Sequence, residues 1–173
     1  MTRYLLLSIL ITALSPAFNA QGEGSDPDRK ALIKLCRGYL KNARTQMDSG
    51  NYDIASAYLD SVFQCDSKNP DAFYYKARIL ASLGDTTGVI DLLSDGVVKA
   101  PRSSRLKLIL ARYLISRGSP NDAVEHIDNV LAIKPREGEA LYLKGQISQA
   151  RGDTTAAVEL YQKALDVSLG KTK

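Results

Sequence analysis

The side chains best equipped for chemistry in this 173-residue chain are two cysteines, Cys36 and Cys65, one histidine, His126, and 19 carboxylates. A metal centre needs several such ligands at short, characteristic spacings, and the cysteines and histidine are scattered without one. No serine, threonine or cysteine stands in a recognisable nucleophile-and-base arrangement, and no glycine-rich stretch has the form of a phosphate loop. Asp53, Asp122 and Glu159 read as residues of helix first turns and exposed helix faces, where negative charge suits the helix dipole or solvent. His126 reads as facing another helix or solvent. The expectation is therefore a protein with no enzymatic activity, no metal and no cofactor.

What remains is the framework. With 45% hydrophobic and 24% charged residues the chain falls in the ordinary globular range, and one folded unit is expected. Residues 1–20 read as an export signal: Arg3 supplies the positive end, Tyr4 to Leu14 carries no charge, and small residues offer cleavage points after Ala17, the better fit, or Ala20. The apolar run is short of the roughly 20 residues a spanning helix needs, which favours cleavage over anchoring. Residues 21–27, with Gly22, Gly24, Ser25 and Pro27, read as a flexible tether to a folded domain over 28–171. Cleavage leaves 22 basic against 19 acidic residues, a net +3. So mild a charge does not indicate nucleic acid, which calls for a dense basic face.

Four glycines, Gly50, Gly84, Gly118 and Gly152, follow one another at 34-residue intervals without slippage. Asn51, Asp85, Ser119 and Asp153 come next, all with a side-chain oxygen suited to capping a helix start, and Pro120 fits a first helical position. Glycine suits the left-handed residue that commonly closes a helix. Each site is thus a helix stop, a corner and a helix start. Midway between them, Asn69-Pro70, Ala100-Pro101 and Lys134-Pro135 break the chain again. The repeating unit is a helical hairpin, with boundaries 36–69, 70–103, 104–137 and 138–171. Seven residues before each glycine stand Ala43, Ala77, Ala111 and Gly145, and twelve after stand Val62, Gly96, Val130 and Ala164; the larger Leu59, Leu93, Ile127 and Tyr161 lie nine after. Small facing large along a seam predicts interdigitated helices.

On these residues, and on the wording Gly50-Asn51-Tyr52-Asp53-Ile54-Ala55 and Tyr161-Gln162-Lys163-Ala164-Leu165, the chain resembles the tetratricopeptide repeat family over Cys36 to Lys171. It departs from the family's pattern at Asn42, Lys76 and Lys144, eight before the glycine, and at Lys107, eleven before. The resemblance implies an all-α, right-handed superhelical stack of four hairpins whose inner surface, lined by the first helix of each, holds peptide segments. Carried over position by position, that surface takes Arg44, Arg78, Arg112 and Gln146, and four residues earlier Leu40, Tyr74, Leu108 and Tyr142. Three arginines in register suit an acidic or carboxylate-bearing peptide, with the tyrosines as stiff contact area. Arg37 and Arg105 would add to the set and Asp71 and Glu139 would soften it. The lysine and asparagine set with which some members clamp a chaperone's terminal carboxylate is replaced by Leu40, Tyr75 and Ile109.

Cys36 and Cys65 lie at opposite ends of the first hairpin, which antiparallel helices bring together. Contacting helix axes stand about 8–10 Å apart, and a disulfide wants Cα atoms within about 7 Å, so free buried thiols are the expectation. The first helix, starting near Asp28, is expected to be longer than its counterparts and to cover the first hairpin's flank. The last helix has no successor, leaving Val158, Leu165 and Val167 as apolar surface for solvent, a second copy or another protein. The functional expectation is a protein-interaction scaffold or assembly factor, periplasmic or secreted, bound to no nucleic acid and, after cleavage, to no membrane. The alternatives are a membrane-tethered scaffold with an uncleaved leader and an RNA-binding helical array.

Overall fold

The computed structural model describes residues 27–171, so the expected leader and all but the last residue of the expected tether lie outside the described residues. The chain divides into Met1–Ala31 and Leu32–Lys173, and the repeat lies in the second unit. The described residues form eight helices: α1 Pro27–Asp48, α2 Tyr52–Cys65, α3 Pro70–Ser82, α4 Thr86–Lys99, α5 Ser104–Ser116, α6 Pro120–Ile133, α7 Gly138–Ala150 and α8 Thr154–Ser168. There is no strand among the described residues. The protein is an all-α stack of helical hairpins. As its sequence leads one to expect, α1 is the longest helix, 22 residues against 13 in α3, α5 and α7.

The four period-setting glycines take φ between 76° and 82°, where an L side chain would be strained. At each, the glycine N–H reaches the carbonyl three residues back and the next N–H reaches five back, as in Gly84 N to Ala81 O at 3.1 Å and Asp85 N to Leu80 O at 3.0 Å. Gly170, at φ 65°, closes α8 in the same way. The helix starts are less uniform than the sequence suggests. Asp85 accepts from Gly88 N at 2.8 Å and Asp153 from Ala156 N at 3.0 Å. Asn51 and Ser119 make no such bond; the Asn51 amide donates instead to Gln46 Oε1 at 2.9 Å. Nothing in the structure explains the idle hydroxyl of Ser119. Asn69 and Ser103, at the other set of corners, do cap α3 and α5.

Apolar burial joins each hairpin to its successor. Tyr39, Ala43, Ala55, Leu59 and Val62 of α1 and α2 share a core with Ala72 and Ile79 of α3. Phe73, Ala77, Val89 and Leu93 of α3 and α4 share one with Leu106 and Leu110 of α5. Ala111, Ala123, Ile127 and Val130 of α5 and α6 enclose Ala140, Leu143 and Ile147 of α7. Among the described residues no polar or charged side chain is fully buried. Two of the three lysines that depart from the family pattern make ion pairs across the same joints: Lys76 to Asp60, and Lys144 to Asp128 at 2.7 Å. Both pairs are solvent-accessible, so each contributes well under about 1 kcal/mol and serves register more than stability.

The seam of small against large is confirmed at atomic distance. A Cβ on Gly96 would lie 2.9 Å from the ring of Phe73, and one on Gly145 would lie 2.6 Å from the ring of Tyr161. The rings occupy the space a methyl group would take.

The cysteines correct the sequence expectation. Cys36 of α1 and Cys65 of α2 form a disulfide with Cα atoms 6.0 Å apart. The error lay in comparing axis separations with Cα separations. Each Cα sits about 2.3 Å off its own axis, so residues on facing sides of two packed helices approach several ångströms closer than the axes do.

Two outcomes follow. Gly96→Ala gains about 1 kcal/mol of helix propensity but forces a methyl against the buried Phe73, at about 1–3 kcal/mol. Its thermal midpoint is expected to fall, whereas Gly145→Ala, facing the movable Tyr161 at the open end, is expected to change little; equal midpoints for the two variants would refute the packing account. Reducing the Cys36–Cys65 bridge, which closes a loop with a sequence separation of 29, should cost about 3.6 kcal/mol by the loop-entropy relation, read as a lower urea midpoint in the presence of reductant.

Candidate functional site

The first helices of the hairpins, α1, α3, α5 and α7, carry the candidate residues. Arg44, Arg78 and Arg112 are all exposed, and Gln146 is half-buried. Their 34-residue spacing puts one on each successive helix, and the helical period puts Leu40, Tyr74, Leu108 and Tyr142 one turn before them. Those four do not share an environment. Tyr74 is half-buried and Tyr142 half-exposed, Leu40 is partly buried against the first core, and Leu108, only 3% exposed, belongs to the third. Leu108 is therefore floor beneath the surface, and its neighbours supply the contacts.

Arginines and tyrosines gather over α1, α3 and α5. The Arg78 guanidinium lies 5.7 Å from the centroid of the Tyr74 ring, and Arg105 lies 5.1 Å from the same ring. Arg44 lies 5.7 Å from the ring of Tyr75, and the Tyr74 and Tyr75 rings meet edge to face at 4.9 Å. Three guanidinium groups thus rest on one tyrosine pair, an arrangement worth about 0.5–1 kcal/mol per contact at exposed sites. Its more useful effect is to hold flexible arginines in place before a ligand arrives. Tyr75 is a member that sequence reasoning noted only as a departure from the chaperone clamp. The signal that could have revealed it is the adjacency of two tyrosines one turn before Arg78.

Carboxylates divide the arginine ladder in two. Arg105 donates to Asp71 Oδ1 at 2.8 Å, and Arg112 is paired with Glu139 of the next hairpin. Among the described residues neither Arg44 nor Arg78 has a carboxylate partner. Arg37, on the same side of the repeat register, is exposed and likewise unpaired among them. Of the arginines within the repeats on these first helices, those unpaired among the described residues are therefore Arg37 and Arg44 of α1 and Arg78 of α3. Toward α7 the surface changes to neutral hydrogen bonding: Gln146 Nε2 donates to the Tyr142 hydroxyl at 3.3 Å, and the Tyr161 hydroxyl donates to Gln149 Oε1 at 2.8 Å.

His126 sits on α6, half-buried and away from these arginines in sequence register. Burial holds its pKa below the ordinary 6.5, the Lys107 ammonium lowers it further, and Glu125 opposes both. No helix among the described residues is long and apolar enough to cross a membrane.

Several known proteins share this architecture. The crystal structure of MamA matches with a TM-score of 0.66 over 83% of this chain and 86% of that one, at 22% identity. That of YrrB, described as a TPR protein with an unusual peptide-binding site, matches with a TM-score of 0.62 over 76% of this chain and 68% of that one, at 18% identity. Likenesses at such identities are likenesses of fold. In sequence, the uncharacterized protein y4yS of Sinorhizobium fredii (strain NBRC 101917 / NGR234) is 30% identical over 93 residues, 54% of this chain and 50% of that protein. The chain spans half or less of the length of the curated relatives it matches. The tetratricopeptide repeat pattern itself matches residues 40–104 and again 108–168, two blocks offset by twice the 34-residue period. With most of its length in that pattern and its helices paired accordingly, the chain belongs to the tetratricopeptide repeat family.

Proposed function

We propose that this protein is a non-catalytic interaction scaffold or assembly factor that holds an acidic or carboxylate-bearing segment of another protein against α1 and α3. The observation that carries this reading is the state of Arg44 and Arg78: exposed, steadied on Tyr75 and Tyr74, and without a carboxylate of their own among the described residues. A guanidinium fork so placed offers paired N–H donors to an incoming carboxylate, and the tyrosines give rigid apolar area beside it. Arg105 and Arg112 are already engaged, which narrows the expected centre from the whole ladder to its first half. Leu40 borders that half; Gln146 and Tyr142 lie beyond it, where a bound chain would meet neutral hydrogen-bonding groups. Family membership supports a binding rather than a catalytic role, and YrrB, a TPR protein with an unusual peptide-binding site, is an example of the fold serving one.

The features of residues 1–20 support export, so the proposed location is the periplasm or the exterior of the cell. N-terminal sequencing of the exported protein tests this, since a retained Met1 would favour the tethered alternative.

The binding reading is tested by fluorescence anisotropy with acidic peptides and their charge-reversed counterparts. The double variant Arg44→Ala/Arg78→Ala is expected to weaken acidic-peptide binding roughly tenfold or more, about 1.4 kcal/mol per tenfold, while Arg112→Ala changes it less than about twofold because that charge is already paired. Binding unaltered in the double variant, or lost equally in Arg112→Ala, would show that the site lies elsewhere.

A further inference from the structure

A surface arginine can be steadied in two ways, with opposite consequences for a ligand. Stacked on an aromatic ring it is held by its face, and the N–H groups around its edge stay available. Paired with a carboxylate it is held by that edge, and the donors a ligand would use are already taken. Arg44 and Arg78 are of the first kind, over the rings of Tyr75 and Tyr74. Arg112 is of the second kind, paired with Glu139 of the next hairpin.

The repeat register accounts for the difference. The position that holds Tyr74 on α3 holds Leu108 on α5, and the position of Tyr75 is taken two hairpins later by Leu143 on α7; both leucines are buried, at 3% and 2% exposure. Among the described residues no aromatic ring lies beneath Arg112. Its guanidinium turns instead to Glu139. The residue in the same place opposite Arg44 is Asp71, and that carboxylate is drawn away by Arg105, which donates to it at 2.8 Å. The Arg112–Glu139 pair is accessible, with the two side chains 58% and 38% exposed, so it lies where a ligand carboxylate would arrive. Beyond it the surface offers the neutral hydrogen bonds of Gln146 with Tyr142 and of Tyr161 with Gln149. Glu137, two residues from Glu139, is turned to Lys134 at 3.8 Å.

We propose that Glu139 sets the limit of the binding surface. It occupies Arg112 as a ligand carboxylate would, so the surface selects a segment that is acidic where it crosses α1 and α3 and uncharged where it continues over α5 and α7. This rests on Arg44 and Arg78 as the binding centre and adds the residue that determines how far the acidic stretch extends.

Two fluorescein-labelled peptides of equal length test it by anisotropy against the full chain. Both carry an acidic cluster in one half; the other half is serine and glutamine in the first peptide and acidic in the second. Relative to the wild-type chain, Glu139→Gln is expected to raise the preference for the doubly acidic peptide about fivefold, the upper range for an exposed ion pair. The singly acidic peptide should change less than about twofold. Glu137→Gln removes the same charge two residues away and should keep the wild-type preference, and Arg112→Ala/Glu139→Gln should return to it. Circular dichroism verifies the helical fold of each variant, with Glu139→Ala as the second variant. An unchanged preference in Glu139→Gln, an equal gain in Glu137→Gln, or a gain that persists without Arg112 overturns this inference alone, provided the singly acidic peptide binds the wild-type chain. If that peptide does not bind, the reading of Arg44 and Arg78 falls and the role of Glu139 falls with it.

Discussion

A pair of short helices has too much apolar surface to bury between its own two members. The first helix of each unit turns one apolar strip toward its partner, and the partner turns another strip away, toward whatever comes next. In this chain the strip is satisfied three times by the following helix, and each closure depends on small residues that let the backbones approach. Gly96 beneath Phe73 and Gly145 beneath Tyr161 show the constraint most plainly, since the volume a methyl group would need is occupied by a ring. The period of 34 is the chain length needed to return to the same contact, which is why it admits no slippage.

The joints take up the apolar residues of the three cores, and the charged residues left on the surface are unevenly paired. Unit one resembles unit three and unit two resembles unit four, in step with the two matched blocks: Leu40 with Leu108, Tyr74 with Tyr142, and the Asp60–Lys76 rung with Asp128–Lys144. The block-to-block likeness stops at the arginines. Arg112 faces Glu139 across the joint, whereas Arg44 faces the same joint one block earlier, where Asp71 is taken by Arg105. A modest difference in which carboxylate reaches which guanidinium thus converts a periodic ladder into a localised charged patch.

This is also where the legibility of the sequence ends. The hairpins, their corners and the tight seam were readable because backbone geometry restricts the residues allowed there: glycine at positive φ, proline at a first turn, alanine or glycine where backbones approach. The register also placed Arg44, Arg78 and Arg112 one to a hairpin, and all three are exposed. Ion pairing was not readable, because long side chains choose among several partners within reach, and the choice depends on helix offsets of a few ångströms. Leu108 looked like groove surface by register and proved to be core, because a leucine at the edge of an apolar strip sinks inward where a tyrosine stays at the rim. The disulfide was missed for a geometric reason, the difference between an axis and the atoms that wind around it.

The disulfide gives the stack a direction. In a linear array each unit is held by its neighbours, so opening begins at the ends, where a unit has one neighbour instead of two. Here the first hairpin is stitched covalently through Cys36 and Cys65, while Val158 and Leu165 of α8 are exposed among the described residues. The hairpin that carries Arg44 is thereby held against local opening by a covalent tie that the other hairpins lack, and its shape outlasts theirs when the packing between neighbours loosens.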